Sequence, residues 1–163
     1  MTSAPFHRFA SASPDATAAL ARAIAPFLRA GDIILLDGPI GAGKTHFARS
    51  LIRALQGLGS VEDIPSPTFT LVQTYDTQAG EVWHADLYRL TDVGEVYELG
   101  LDDAFETAIC LIEWPDRLGR TQPSGALTLR LTPGADDTRD IAFTGGADWA
   151  RRLAPVLQRA GAA

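Results

Sequence analysis

Residues 38 to 45 read Gly-Pro-Ile-Gly-Ala-Gly-Lys-Thr, and Lys44 is the only lysine in a chain whose other basic positions are all arginine. The spacing G-x-x-x-x-G-K-[ST] is that of a loop that wraps phosphate. Glycines let the backbone turn its N–H groups around phosphate oxygens with no side chain in the way, and a helix that follows points its positive end at the same anion. Gly38, Gly41, Ala42 and Gly43 are the expected cradle. Lys44 is expected to reach the outer phosphates as a compact, movable point charge, which a planar guanidinium does not reproduce in so tight a space. Thr45 is expected to offer its hydroxyl to Mg²⁺. The competing explanation is a chance glycine-rich turn, which the strand before it and the helix after it disfavour.

A nucleotide site also needs a carboxylate for the metal. Glu113 stands where the apolar run Cys110-Leu111-Ile112 ends, and ligands of open α/β sheets gather at the carboxyl ends of the strands. Glu113 is therefore a candidate for the Mg²⁺ held by Thr45, although taken alone it reads first as a solvated strand end. Trp114 beside it is either a core plug or a flat surface for a base. In His-Ala-Asp-Leu-Tyr-Arg, residues 84 to 89, strand alternation puts His84 and Asp86 on one face. That pair is either a polar outer face or a carboxylate tuned by an imidazole to bind metal or orient a water. Ser66-Pro67-Thr68 is an ordinary turn that, near a nucleotide, brings hydroxyls to the terminal phosphate.

These residues need elements to hold them. Ser13-Pro14-Asp15 is a helix start with proline in the first turn, and Leu20, Ile24, Phe27 and Leu28 recur at helical spacing until Gly31. Residues 33 to 36 form a fully apolar strand of the kind covered on both faces. Phe47, Ala48, Leu51, Ile52 and Leu55 mark a helix ending at Gly57. The runs 68–75 and 81–88 around Asp76 to Gly80 form a hairpin, 108–114 a second buried strand, and 126–132 and 139–144 a further pair. A last helix near 147 to 160 is expected to break at Pro155. Residues 92 to 106 carry six acidic side chains and no basic one, either a solvated helix face or a surface for a basic partner. The expected architecture is α/β: a single P-loop NTPase-like domain over residues 1–163, with a central mixed β-sheet flanked by helices.

Composition narrows the function classes. A length of 163 residues with 46% hydrophobic residues suits one ordinary domain. No run approaches the roughly 20 apolar residues of a membrane span, so a soluble, unprocessed, cytoplasmic protein is expected. The one cysteine, Cys110, lies in an apolar run and reads as packing. The net charge of −6 opposes unaided binding to a phosphate backbone.

The segments GPIGAGKT, SPTFTLVQTY, HADLYRL, ELGLDDAF and LIEWP, in this order, resemble the TsaE family (formerly the YjeE type), a bacterial P-loop ATPase of tRNA threonylcarbamoyladenosine synthesis. The resemblance covers about positions 10 to 145. It implies ATP with Mg²⁺ on Thr45 and Glu113, Asp86 close by, and catalytic roles for Lys44, Asp86, Glu113 and Thr68. It also implies switch-like behaviour of SPTF and HADLYR. Nucleotide contacts are implied for His46 and Trp114, with Asp15 bordering the adenine. The partners implied are the TsaD and TsaB proteins, with tRNA reached only through that complex and no membrane. Within that family, ATP hydrolysis resets the complex after each modification of the adenosine beside the anticodon of ANN-decoding tRNAs. His46 and Pro39-Ile40 depart from the family's usual residues, which makes altered ATP affinity an expectation. The alternative is a small-molecule kinase of the shikimate or nucleoside type, for whose lid only Arg117 and Arg120 are at hand. A GTPase would need an Asn-Lys-x-Asp motif, and the chain has no second lysine. A non-catalytic ATP-shaped docking module differs from the favoured reading only in releasing no phosphate.

Overall fold

The computed structural model describes residues 4–57, 64, 67 and 71–161. The chain runs β1 (His7–Ser11), α1 (Pro14–Ile24), β2 (Ile33–Asp37), α2 (Lys44–Gln56), β3 (Val72–Thr77), β4 (Gly80–Asp86), α3 (Gly94–Glu98), α4 (Leu101–Thr107), β5 (Ile109–Glu113), β6 (Leu127–Pro133), β7 (Arg139–Thr144) and α5 (Ala147–Gly161). Short 3₁₀ turns at Ala25–Phe27 and Pro115–Thr121 complete it. One mixed sheet has the order β1-β7-β6-β2-β5-β4-β3. Its centre, β6-β2-β5-β4, is parallel, and antiparallel pairs flank it on both sides.

The central strands are apolar throughout because both faces are covered. Ile34, Leu36, Val82 and Leu111 pack against Leu20 and Ile24 of α1, Phe47 and Leu51 of α2, and Trp149 and Leu153 of α5. Ile33, Leu35, Ala85 and Ile112 pack against Val96 of α3 and Leu101 of α4 on the opposite face. Alternation then puts Glu113 on the same face as Leu111, and His84 and Asp86 on the same face as Val82. That face lies under α2. The Ser13 hydroxyl accepts the Ala16 amide at 3.1 Å, with Pro14 in the first turn, as the start signal of α1 demands.

The structure departs from the sequence expectations at four places. β1 carries no strand signal of its own, because HRFAS has a single large apolar residue, Phe9; the strand exists through pairing with β7. α5 runs through Pro155 unbroken. Burial of Trp149, Leu153, Val156 and Leu157 outweighs the amide hydrogen bond that proline lacks. The acidic stretch is two short helices, separated at Gly100 with φ 81°, so it presents no continuous face. His84 and Asp86 do not form a polar outer face: both are buried. Among the described residues no helix is long and apolar enough to cross a membrane.

Cys110 is fully buried on the α3/α4 face of the sheet, and burial pushes its thiol pKa up to about 12. At pH 8 about one thiol in ten thousand is ionised. Alkylation by iodoacetamide is therefore expected to be at least about a hundredfold slower in the native protein than in urea; equal rates would contradict the burial.

Candidate nucleotide site

β2 ends at the carboxyl edge of the sheet and the chain turns at once. A Cβ at Gly38 would sit 2.5 Å from the carbonyl oxygen of Leu131, so only glycine lets the loop leave the strand between β6 and α2. Gly43, at φ 99°, hands the loop to α2 in a left-handed conformation that side chains rarely adopt. Inside the loop the Ala42 amide donates to the Pro39 carbonyl at 3.1 Å. Lys44 is 5% exposed. Its Nζ donates to the carbonyls of Gly38 at 2.6 Å and Pro39 at 2.9 Å, and sits 4.1 Å from the centre of the Trp114 ring. Burial lowers the Lys44 pKa; the negative charges of Glu113, Asp86 and Asp37 oppose the shift.

Glu113 is not a solvated strand end. It is 2% exposed, opposite Leu36 on β2 and Asp86 on β4. The Thr45 hydroxyl donates to its Oε1 at 2.7 Å, and His84 Nε2 bonds its Oε2 at 2.7 Å. A carboxylate only accepts, so Nε2 is the protonated ring nitrogen when Glu113 is ionised. His84 thus pairs with Glu113, whereas alternation along one strand suggests Asp86. His84 Nδ1 is buried with no hydrogen-bond partner among the described residues. Asp86, 6% exposed, accepts the Tyr88 amide on Oδ1 at 3.0 Å.

Together these residues enclose a cleft of about 420 Å³. Gly41, Ala42, Gly43, Lys44, Thr45 and His46 line it from the loop, and Asp86, Glu113 and Trp114 from the sheet edge. Gly38, expected in the cradle, does not line the cleft but contributes its carbonyl to Lys44. Asp15 is exposed and lines no part of the cleft. The Pro14 carbonyl beside it is 2.9 Å from His46 Nε2, which brings the start of α1 against the loop's flank. Thr68 and Ser66 lie outside the described residues. Arg117 and Arg120, the arginines a kinase lid would use, do not line the cleft.

The donor set suits a hard, six-coordinate cation: one hydroxyl and one carboxylate, already 2.7 Å apart, with phosphate oxygens and water filling the remaining positions. No group of three or more His, Cys, Asp or Glu side chains among the described residues would hold a metal by itself.

Two side chains at the site escape sequence reasoning, Tyr88 and Arg139, and so does the backbone strain at Trp114. Tyr88 lines the cleft, its ring 5.0 Å from that of Trp114. Trp114 has φ 59°, a strained value for a bulky side chain of the kind that clusters at functional sites. Arg139 donates from Nε to the Ala42 carbonyl at 2.9 Å and from Nη2 to the Gly41 carbonyl at 3.1 Å. Only Tyr88 carries a sequence signal, two positions beyond Asp86.

A family model described as threonylcarbamoyl adenosine biosynthesis protein TsaE matches residues 11–141. The tRNA threonylcarbamoyladenosine biosynthesis protein TsaE of Bacillus subtilis is 33% identical over 153 residues, covering 93% of this chain and 94% of that protein. The protein of the same name from Rickettsia bellii is 39% identical over 127 residues, covering 78% and 87%. The crystal structure of Bacillus subtilis YdiB superposes with a TM-score of 0.74 at 29% identity, covering 94% of both chains.

Replacing His84 by leucine leaves one oxygen of a buried carboxylate without its partner. Urea unfolding is expected to show a loss of about 2 kcal/mol; an unchanged midpoint would mean that the His84–Glu113 bond adds nothing to the fold.

Proposed function

Because the chain belongs to the TsaE family and so acts in tRNA threonylcarbamoyladenosine biosynthesis, we propose that its cleft binds Mg-ATP and hydrolyses it as an accessory step of that pathway. The observation that carries this reading is the Thr45–Glu113 hydrogen bond beneath a phosphate-type loop. It sets a magnesium-suited oxygen pair at the foot of the helix whose positive end faces the cleft.

Each side chain then has a role. Loop amides and the first turn of α2 receive phosphate oxygens. Lys44 leaves the carbonyls of Gly38 and Pro39 and places its ammonium on the outer phosphates, neutralising charge that grows on the leaving oxygen. Thr45 and Glu113 would hold Mg²⁺, which when bound supplies charge neutralisation across the β- and γ-phosphates. With a metal bound, the Thr45 hydroxyl would no longer donate to Glu113, and His84 would keep the carboxylate aimed. Asp86 orients a water and accepts its proton as the water oxygen bonds to the γ-phosphorus and the bond to the β-phosphate oxygen breaks, releasing ADP and phosphate. Trp114 and Tyr88 offer aromatic surface beside the site.

Hydrolysis by the isolated chain is slow in this proposal, because a water-positioning set spread over separate segments, Ser66–Thr68 among them, is completed by partners. TsaD and TsaB are the proposed partners, with ATP turnover resetting their complex after each modification. The charge of −6 supports contact with tRNA only through that complex, and the buried, un-ionised thiol suits a cytoplasmic setting. The kinase alternative loses support because neither Arg117 nor Arg120 lines the cleft.

Calorimetric titration with Mg-ATP, and phosphate release measured with and without TsaD and TsaB, test the proposal. Lys44→Ala is expected to lower affinity by at least about a hundredfold. Glu113→Ala is expected to reduce turnover about 10- to 100-fold while affecting binding less. Full turnover in Glu113→Ala would remove the metal assignment, and wild-type protein that ignores Mg-ATP would remove the nucleotide reading. Partner-stimulated binding without phosphate release would leave a docking module instead of an ATPase.

A further inference from the structure

Gly41 and Gly43, at φ 81° and 99°, flank Ala42 in the part of the loop that must face phosphate. Glycine on either side makes the two peptide planes between them easy to rotate. No peptide bond among the described residues is cis, and in a trans peptide the carbonyl and the next amide point in opposite directions. Whatever holds the Ala42 carbonyl therefore aims the Gly43 amide the other way. Whatever holds the Gly41 carbonyl likewise aims the Ala42 amide, which folds back to Pro39 at 3.1 Å.

Arg139 holds both. It stands at the first position of β7, opposite Pro133 of β6 and Ser11 of β1. Its Nη1 donates to its neighbour Thr138's carbonyl at 2.7 Å, which fixes the guanidinium plane. Nε and Nη2, on one edge of that plane, reach Ala42 and Gly41 at 2.9 and 3.1 Å. A Cβ added at Gly43 would lie 3.9 Å from Arg139 Nε, so the guanidinium packs against the loop's outer side. Rotating the Ala42–Gly43 peptide would aim a carbonyl oxygen at the phosphate and break the bond to Nε.

We propose that Arg139 is a positioning residue that locks the two peptide planes of Gly41-Ala42-Gly43, so that the loop meets phosphate with the Gly43 amide already turned away from Arg139 and the Ala42 amide held on Pro39. The guanidinium acts through geometry. Lysine would carry a carbon where arginine has Nε, so it cannot donate at both points from the same side-chain path. A charge effect on phosphate and a positioning effect therefore separate in Arg139→Lys, which keeps the charge and loses the fork.

The test uses the full chain in two measurements. In nucleotide-free protein, exchange of the Ala42 amide, followed by NMR, is expected to rise about tenfold in both Arg139→Ala and Arg139→Lys, as loss of one hydrogen bond's protection would give. The Leu129 and Ile141 amides of β6 and β7 are expected to stay unchanged. Second, the KM for Mg-ATP is expected to rise about tenfold in both variants with kcat within about a factor of two, because a pre-set cradle serves ground and transition states alike. Unchanged Ala42 exchange, acceleration that spreads through β6 and β7, or wild-type KM in Arg139→Lys would each overturn the proposal. The kinetic half rests on the nucleotide reading. If Lys44→Ala abolishes binding while both Arg139 variants bind normally, this inference alone fails; if the wild type does not bind Mg-ATP, that reading fails and the exchange measurement still decides on Arg139.

Discussion

A carboxylate that is almost wholly removed from water must be matched at both oxygens, and Glu113 is matched by one hydroxyl and one imidazole. An unpaired carboxylate in that position would cost several kcal/mol. The arrangement of the sheet follows from meeting this demand. β5 must lie between β2 and β4 so that the loop side and the His84 side both reach Glu113. α2 must cover that face from Lys44 onward for Thr45 to arrive. The same burial sets the character of Lys44, whose ammonium is depleted of water and surrounded by Glu113, Asp86 and Asp37. The site is thus a set of charges kept close by apolar layers.

The antiparallel flank β1-β7-β6 is more than padding for the parallel centre. Leu131 of β6 crowds Gly38 where the loop departs, and β7 brings Arg139 to the loop's outer side. The helical layer on the α2 face braces the loop as well, since the Pro14 carbonyl at the start of α1 meets His46. Support therefore arrives at the root, the back and the side of the loop from three elements that are remote in sequence. Such bracing supports pre-organisation, in which backbone amides need little rearrangement when an anion arrives.

How much of this is legible in the chain depends on the range of each signal. The glycine loop, the apolar runs of β2 and β5, and the hairpin of β3 and β4 announce themselves through neighbouring residues, and all are present. Glu113 is readable as a strand-end carboxylate, but its burial comes from parallel pairing with β2 and β4, which no local pattern encodes. For the same reason local alternation couples His84 to Asp86, its neighbour in sequence, when its partner lies across the sheet. β1 is short and half exposed, so pairing with β7 decides its conformation. Pro155 shows packing overriding a local rule: the buried face of α5 holds the helix together across a missing amide. Arg139 offers nothing legible because its role depends on a contact with a loop 97 residues earlier in the chain.

The indole of Trp114 and the two carbonyls around Lys44 have a consequence for protein chemistry. With every other basic side chain a guanidine or an imidazole, the molecule offers electrophiles one ε-amino nitrogen, and it is the one inside its cleft. Acylating reagents that ordinarily decorate a surface at random would here report from a single side chain. Their rate of attack would register whether the nitrogen is lodged against its own backbone or drawn away by an anionic guest.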